Sequence, residues 1–126
     1  MNWPTVLCVS LVFAGISLAA DSKPPLIACN MAAISSAQRP RYDSLMKRLR
    51  GAIQNRREIA DGYTFKLDPK GITMAELGEW ITLERLCCSF LTFNVEVKND
   101  GATQLSMTGP EGTKGVLAED LPERAK

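Results

Sequence analysis

Hydrophobic residues in residues 73–88 recur with the period of an α-helix and then change to the period of a strand. Two neighbouring apolar stripes run along this segment, Leu77, Ile81 and Cys88 on one and Trp80, Leu83 and Cys87 on the other. Residues 91–97 alternate apolar and polar side chains with period two. The adjacent cysteines Cys87 and Cys88 are therefore predicted to lie at a corner between a helix and a strand.

The same patterning predicts a helix and a hairpin before this corner. Ser35 or Ser36 can cap a helix over residues 37–55, in which apolar residues form one face. Residues 57–67 then alternate around Asp61-Gly62, a pair typical of a tight hairpin turn.

Thr73 and Glu76 have the spacing of a capping box, which predicts that the central helix begins at this point. Beyond the corner, residues 90–98 and 102–108 predict a second hairpin, and residues 111–117 a short last helix. This order predicts an α+β fold: an antiparallel four-stranded sheet of two hairpins, with two main helices on one face and a short C-terminal helix.

The N-terminal residues have the composition of an export signal. An apolar run over residues 6–18, too short to span a bilayer comfortably, ends in the small residues Ala19 and Ala20. We predict a signal peptide over residues 1–20, a linker over 21–25, one domain over 26–118 and a charged tail over 119–126. The protein is then exported, to a periplasm or the exterior; the alternative is a membrane tether formed by an uncleaved N-terminal segment.

Charge and composition narrow the classes of function. Lys and Arg number 15 against 14 Asp and Glu, a balance that predicts no nucleic-acid partner. The chain contains no histidine, which excludes Ser-His and Cys-His catalysis within it. We therefore assign no catalytic residues and propose no substrate turnover. Any metal site must use thiolates, carboxylates and main-chain groups.

Cysteine supplies the candidate chemistry. Removal of the signal would take Cys8 with it and leave Cys29, Cys87 and Cys88, with Glu84 one helical turn before the adjacent pair. This set predicts a site for a soft metal ion, such as Zn(II), Cu(I) or a heavier thiophilic metal, or for a small thiol-reactive ligand. Two alternatives stay open: thiol-disulfide exchange, and a structural or interaction domain in which one disulfide staples the chain.

Two motifs resemble those of a family of small, uncharacterised bacterial proteins. Residues 84–93, ERLCCSFLTF, and residues 108–112, TGPEG, are similar to its E-R-x-C-C-P-F-x-x-F and T-G-P-x-G runs. Members also tend to have a cysteine shortly before the first helix, a position that corresponds to Cys29, whereas Ser89 stands where proline is usual. The resemblance covers about residues 26–118. It implies a site at these cysteines without implying a reaction.

Overall fold

The computed structural model of the protein describes Gly15 and residues 27–125. After a single 3₁₀ turn at Met31–Ala33 come α1 (Arg39–Ala52), β1 (Ile53–Ile59), β2 (Gly62–Leu67), α2 (Met74–Cys87), β3 (Thr92–Val97), β4 (Thr103–Thr108) and α3 (Thr113–Asp120). The predicted linker, and the predicted signal peptide apart from Gly15, lie outside the described residues.

The four strands form one antiparallel sheet in the order β1-β2-β4-β3. Each predicted hairpin is present, and the two hairpins join where β2 pairs with β4. At this junction Gly62 lies opposite Thr108, and a Cβ atom on Gly62 would collide with the carbonyl of Met107. The predicted α+β class with its four-stranded antiparallel sheet is confirmed.

All three helices cover the same face of the sheet. Phe65 and Leu105 are cross-strand neighbours on this face, and both are fully buried. Trp80 of α2 packs edge-on against Phe93 of β3, with ring centroids 5.9 Å apart. Arg56 of β1 is the partner of Phe65 and therefore faces the same way, and its guanidinium bonds to main-chain carbonyls at the end of α3. The core lies between this face and the helices.

Local signals locate the second helix correctly. The Thr73 hydroxyl accepts a hydrogen bond from the Glu76 amide at 3.2 Å, and the Glu76 carboxylate accepts one from the Thr73 amide at 2.9 Å. This reciprocal pair is the predicted capping box. The helix ends at Cys87, and Cys88 is its C-cap residue.

The first helix and the last one differ from the sequence prediction in length. α1 ends at Ala52, and β1 begins four residues before the predicted strand, because residues 53–59 pair with β2 although most of them are polar. The hairpin turns at residues 60–61, since Ile59 already pairs with Gly62. α3 runs to Asp120, into the predicted tail, and Leu121 is buried after it.

Within residues 27–125, no helix combines the length and the apolar character needed to cross a membrane.

Candidate cysteine site

A disulfide bond joins Cys29 to Cys88, with Cα atoms 4.5 Å apart. Cys29 precedes the 3₁₀ turn, and Cys88 follows the last turn of α2. Beside the bond, the amide of Asn30 donates a hydrogen bond of 2.7 Å to the carbonyl of Cys87. The start of the described segment is therefore held to the end of α2 by a covalent bond and a main-chain hydrogen bond. Such a bond fits an oxidising, extracellular environment.

Cys87 is the free thiol of this site. Its side chain is buried, and its Sγ atom lies 3.6 Å from Sγ of Cys88 and 3.8 Å from Oε2 of Glu84. Burial, followed by the charge of Glu84, raises the pKa of Cys87 to about 11. At neutral pH this thiol is consequently protonated and a weak nucleophile.

Glu84 is a buried carboxyl group, only 3% exposed. The hydroxyl of Tyr42 donates a hydrogen bond of 2.7 Å to its Oε2 atom. Burial raises the pKa of Glu84, and the hydrogen bond from Tyr42 opposes that rise. The pKa of Tyr42 is itself raised, first by burial and then by Glu84, so Tyr42 stays a hydrogen-bond donor.

Three ligand atoms come close together at this corner. The Sγ atoms of Cys29 and Cys88 and a carboxylate oxygen of Glu84 all lie within 4.8 Å of one another. Cys87 adjoins this group through Cys88. The structure thus gathers all four residues that the sequence singled out. In the disulfide form, however, Cys29 and Cys88 carry no thiolate charge with which to hold a metal ion.

Tyr42 belongs to the site although the sequence placed it only on the apolar face of the first helix. A buried tyrosine hydroxyl usually finds a hydrogen-bond partner, and Glu84 is the buried acidic residue among the described ones. That general rule was the available signal. It could not identify the partner, because Tyr42 and Glu84 are 42 residues apart in sequence.

A cavity of about 290 Å³ lies beside the disulfide. Its lining consists of Cys29, Met31, Tyr42, Asp43, Met46, Arg50 and Asp120. Cys29 is partly exposed, whereas Cys87 and Cys88 are buried. A small reagent in this cavity therefore meets Cys29 before it meets the adjacent pair.

Comparison of the chain with protein-family models, with curated proteins and with solved structures finds no match in any of the three.

Proposed function

We propose that the protein, once its disulfide is reduced, binds a soft metal ion or another small thiol-reactive ligand through Cys29, Cys87 and Cys88, with Glu84 as a supporting ligand. The observation that carries this proposal is the spacing of the ligand atoms of Cys29, Glu84 and Cys88, which all lie within 4.8 Å of one another. Thiolate sulfur is the donor that Zn(II), Cu(I) and heavier thiophilic ions prefer.

The disulfide and the metal site exclude each other. An external dithiol reductant would supply the two electrons and two protons that convert the disulfide into the thiols of Cys29 and Cys88, and it would itself be oxidised to a disulfide. Metal binding then displaces thiol protons into solution. The nearby cation would also lower the pKa of Cys87, which burial otherwise raises to about 11. We therefore assign the oxidised chain to a metal-free state and the reduced chain to metal binding.

Titration with Cd(II) tests this proposal. The full chain carrying Cys8→Ser retains Cys29, Cys87 and Cys88 whether or not its N-terminal segment is cut. After reduction and removal of the reductant, we expect one equivalent of Cd(II) to bind, with ultraviolet absorbance from cadmium-thiolate bonds. The oxidised chain should bind none. Native mass spectrometry then gives the stoichiometry.

Two variants identify the ligands in the same titration. Cys29→Ser should weaken Cd(II) binding by removing a thiolate, and Glu84→Gln should weaken it less by removing a supporting oxygen. Glu79→Gln is the matched control, since Glu79 lies on the same helix but is exposed and bonded to Arg41. A reduced chain with three titratable thiols and no bound cadmium would overturn the proposal.

Thiol-disulfide exchange is a second candidate, favoured by the 3.6 Å separation of the Cys87 and Cys88 sulfurs. The Cys87 thiolate would attack Sγ of Cys88, form a Cys87–Cys88 bond and release Cys29, which takes up the proton that Cys87 gave away. No external oxidant or reductant is consumed. Alkylation of Cys29 in the unreduced chain, abolished by Cys87→Ser, would support exchange; a Cys29 that stays unmodified would exclude it.

We also propose that the protein acts after export, in a periplasm or outside the cell. The predicted signal peptide and the disulfide support this location together, because disulfides persist where the surroundings are oxidising. Metal binding in that location therefore requires a dithiol reductant that reaches the exported protein.

A further inference from the structure

Two methionines line the cavity beside Cys29. Met31 and Met46 both line this space of about 290 Å³, together with Cys29. Two segments supply the three residues: Cys29 and Met31 are two residues apart, before and at the start of the 3₁₀ turn, and Met46 lies on α1. Their convergence is therefore a product of the fold.

The segments that carry the two methionines are held beside the cysteine site. Met46 is buried and lies one helical turn after Tyr42, whose hydroxyl bonds to Glu84 of the cysteine site. The main-chain carbonyl of Met31 accepts a hydrogen bond from the Arg39 guanidinium of α1. The 3₁₀ turn and α1 are thus tied together beside Cys29.

We propose that this cavity is a binding site for a soft monovalent cation, Cu(I) or its analogue Ag(I), held by the Cys29 thiolate and the thioether sulfurs of Met31 and Met46. The site rests on the proposed function, because Cys29 must first be released from its disulfide. The step is balanced: the Cys29 thiol releases one proton to solvent and forms one metal-sulfur bond, and each thioether donates a lone pair.

Charge and donor softness select the ion. One thiolate and two neutral thioethers around a monovalent cation form an electrically neutral unit, so the unit carries little of the cost of burying a charge. Thioethers suit Cu(I) far better than they suit hard divalent ions. The cavity lining also holds two carboxyl groups, Asp43 and Asp120, against the single guanidinium of Arg50, a balance that favours a cation.

Methyl NMR with Ag(I) tests the ligand set directly. The chain has five methionines, and their ε-methyl groups report on each sulfur separately. In the reduced full chain carrying Cys8→Ser, we expect Ag(I) to shift the methyl signals of Met31 and Met46. Met74, exposed at the start of α2, and Met107, buried in β4, should not shift.

Affinity measurements test the same ligands by substitution. The double change Met31→Leu and Met46→Leu nearly conserves side-chain volume while it removes both thioethers. We expect it to lower Ag(I) affinity about 10- to 100-fold, the range seen even when groups that only support a metal's ligands are lost. Met107→Leu controls for repacking of a buried methionine, and Met74→Leu for an exposed one; neither should change the affinity.

The outcomes separate this inference from the proposed function. Ag(I) that binds the reduced chain without shifting either cavity methyl signal, and with equal affinity in the double variant, would overturn the thioether site and leave the cysteine site standing. A reduced chain that takes up neither Ag(I) nor Cd(II) would overturn both. Shifted signals together with weakened binding in the double variant would establish the site.

Discussion

Glu84 places an ionisable group where ionisation is unfavourable. Its carboxyl group is buried between α1 and α2, with the Tyr42 hydroxyl as hydrogen-bond donor and the Cys87 thiol 3.8 Å away. Burial raises its pKa above the ordinary value of 4.5. The folded chain therefore binds this proton more tightly than the unfolded chain does. Stability from the protonated group is complete below that ordinary value and is lost as the pH rises through the folded pKa.

Glu84→Gln should remove this pH-dependent loss, because glutamine keeps the shape and an acceptor oxygen but does not ionise. We expect the stability of the variant relative to the parent to increase as the pH rises from the ordinary pKa of 4.5 through the raised pKa of the folded chain. Urea unfolding across that range measures it. Glu79→Gln is the control of opposite sign, since Arg41 lowers the pKa of Glu79. A relative stability for Glu84→Gln that stays flat or falls with pH would contradict this account.

At the scale of the element, α2 begins at a signal formed by neighbouring residues and ends at a contact with a distant part of the chain. Its first turn is closed by the capping box of Thr73 and Glu76. Its last turn is held by the disulfide of Cys88 to a segment 59 residues earlier. A change that frays the first turn should leave the cysteine site intact. Met74 and Cys87 are 13 positions apart, which at 1.5 Å per residue places the two ends of the helix about 20 Å apart.

Thr73→Ala should lower the free energy of unfolding by about 1 kcal/mol, because it leaves the Glu76 amide without its acceptor. Chemical denaturation measures this loss. Thr82→Ala is the matched change inside the same helix, where the hydroxyl bonds back to the Gly78 carbonyl and alanine is the better helix former. That control should be neutral or stabilising. Equal losses in the two variants would exclude the capping box as the cause.

For the whole molecule, the disulfide is the longest covalent restraint in the described residues. It links positions 59 residues apart and so removes conformational freedom mainly from the unfolded chain. The chain-entropy estimate for a loop of this length is about 4 kcal/mol. This is a substantial share of the stability of a small domain.

Reduction should therefore lower the free energy of unfolding by about 4 kcal/mol. Urea unfolding with and without reductant, in the Cys8→Ser chain and with a chelator present, measures the difference. The chelator is needed because a bound metal ion would restore stability by mass action. In the double variant Cys29→Ser and Cys88→Ser, reductant should have no effect. Equal stability of the oxidised and reduced chains would contradict the prediction.

Features that depend on residues close in sequence could be predicted from the sequence, whereas features that depend on distant residues could not. The bounds of α2 and of the second hairpin depend on neighbouring residues, such as Thr73 with Glu76, and the predicted bounds lie within two residues of the observed ones. The start of β1 depends on pairing with β2, and its polar residues give no period-two signal, so the strand was predicted too short.

The candidate site shows the same division. Cys87, Cys88 and Glu84 lie within five residues of one another, so their grouping could be predicted from helical spacing. The contact of Tyr42 with Glu84, and the position of Met31 and Met46 on one cavity, depend on how α1 packs against its neighbours. Such packing has no counterpart in local sequence periodicity.

The glycine at the junction of the two hairpins also bears on folding kinetics. Each hairpin pairs residues that are close in sequence. β2 and β4 are neighbours in the sheet, but α2 and β3 separate them in sequence. Contacts between residues distant in sequence form slowly, because the intervening loop loses conformational entropy before the contact contributes any stabilising free energy. We therefore expect the slow step of folding to be the docking of Gly62 against Met107 and Thr108, which joins the two hairpins into a single sheet.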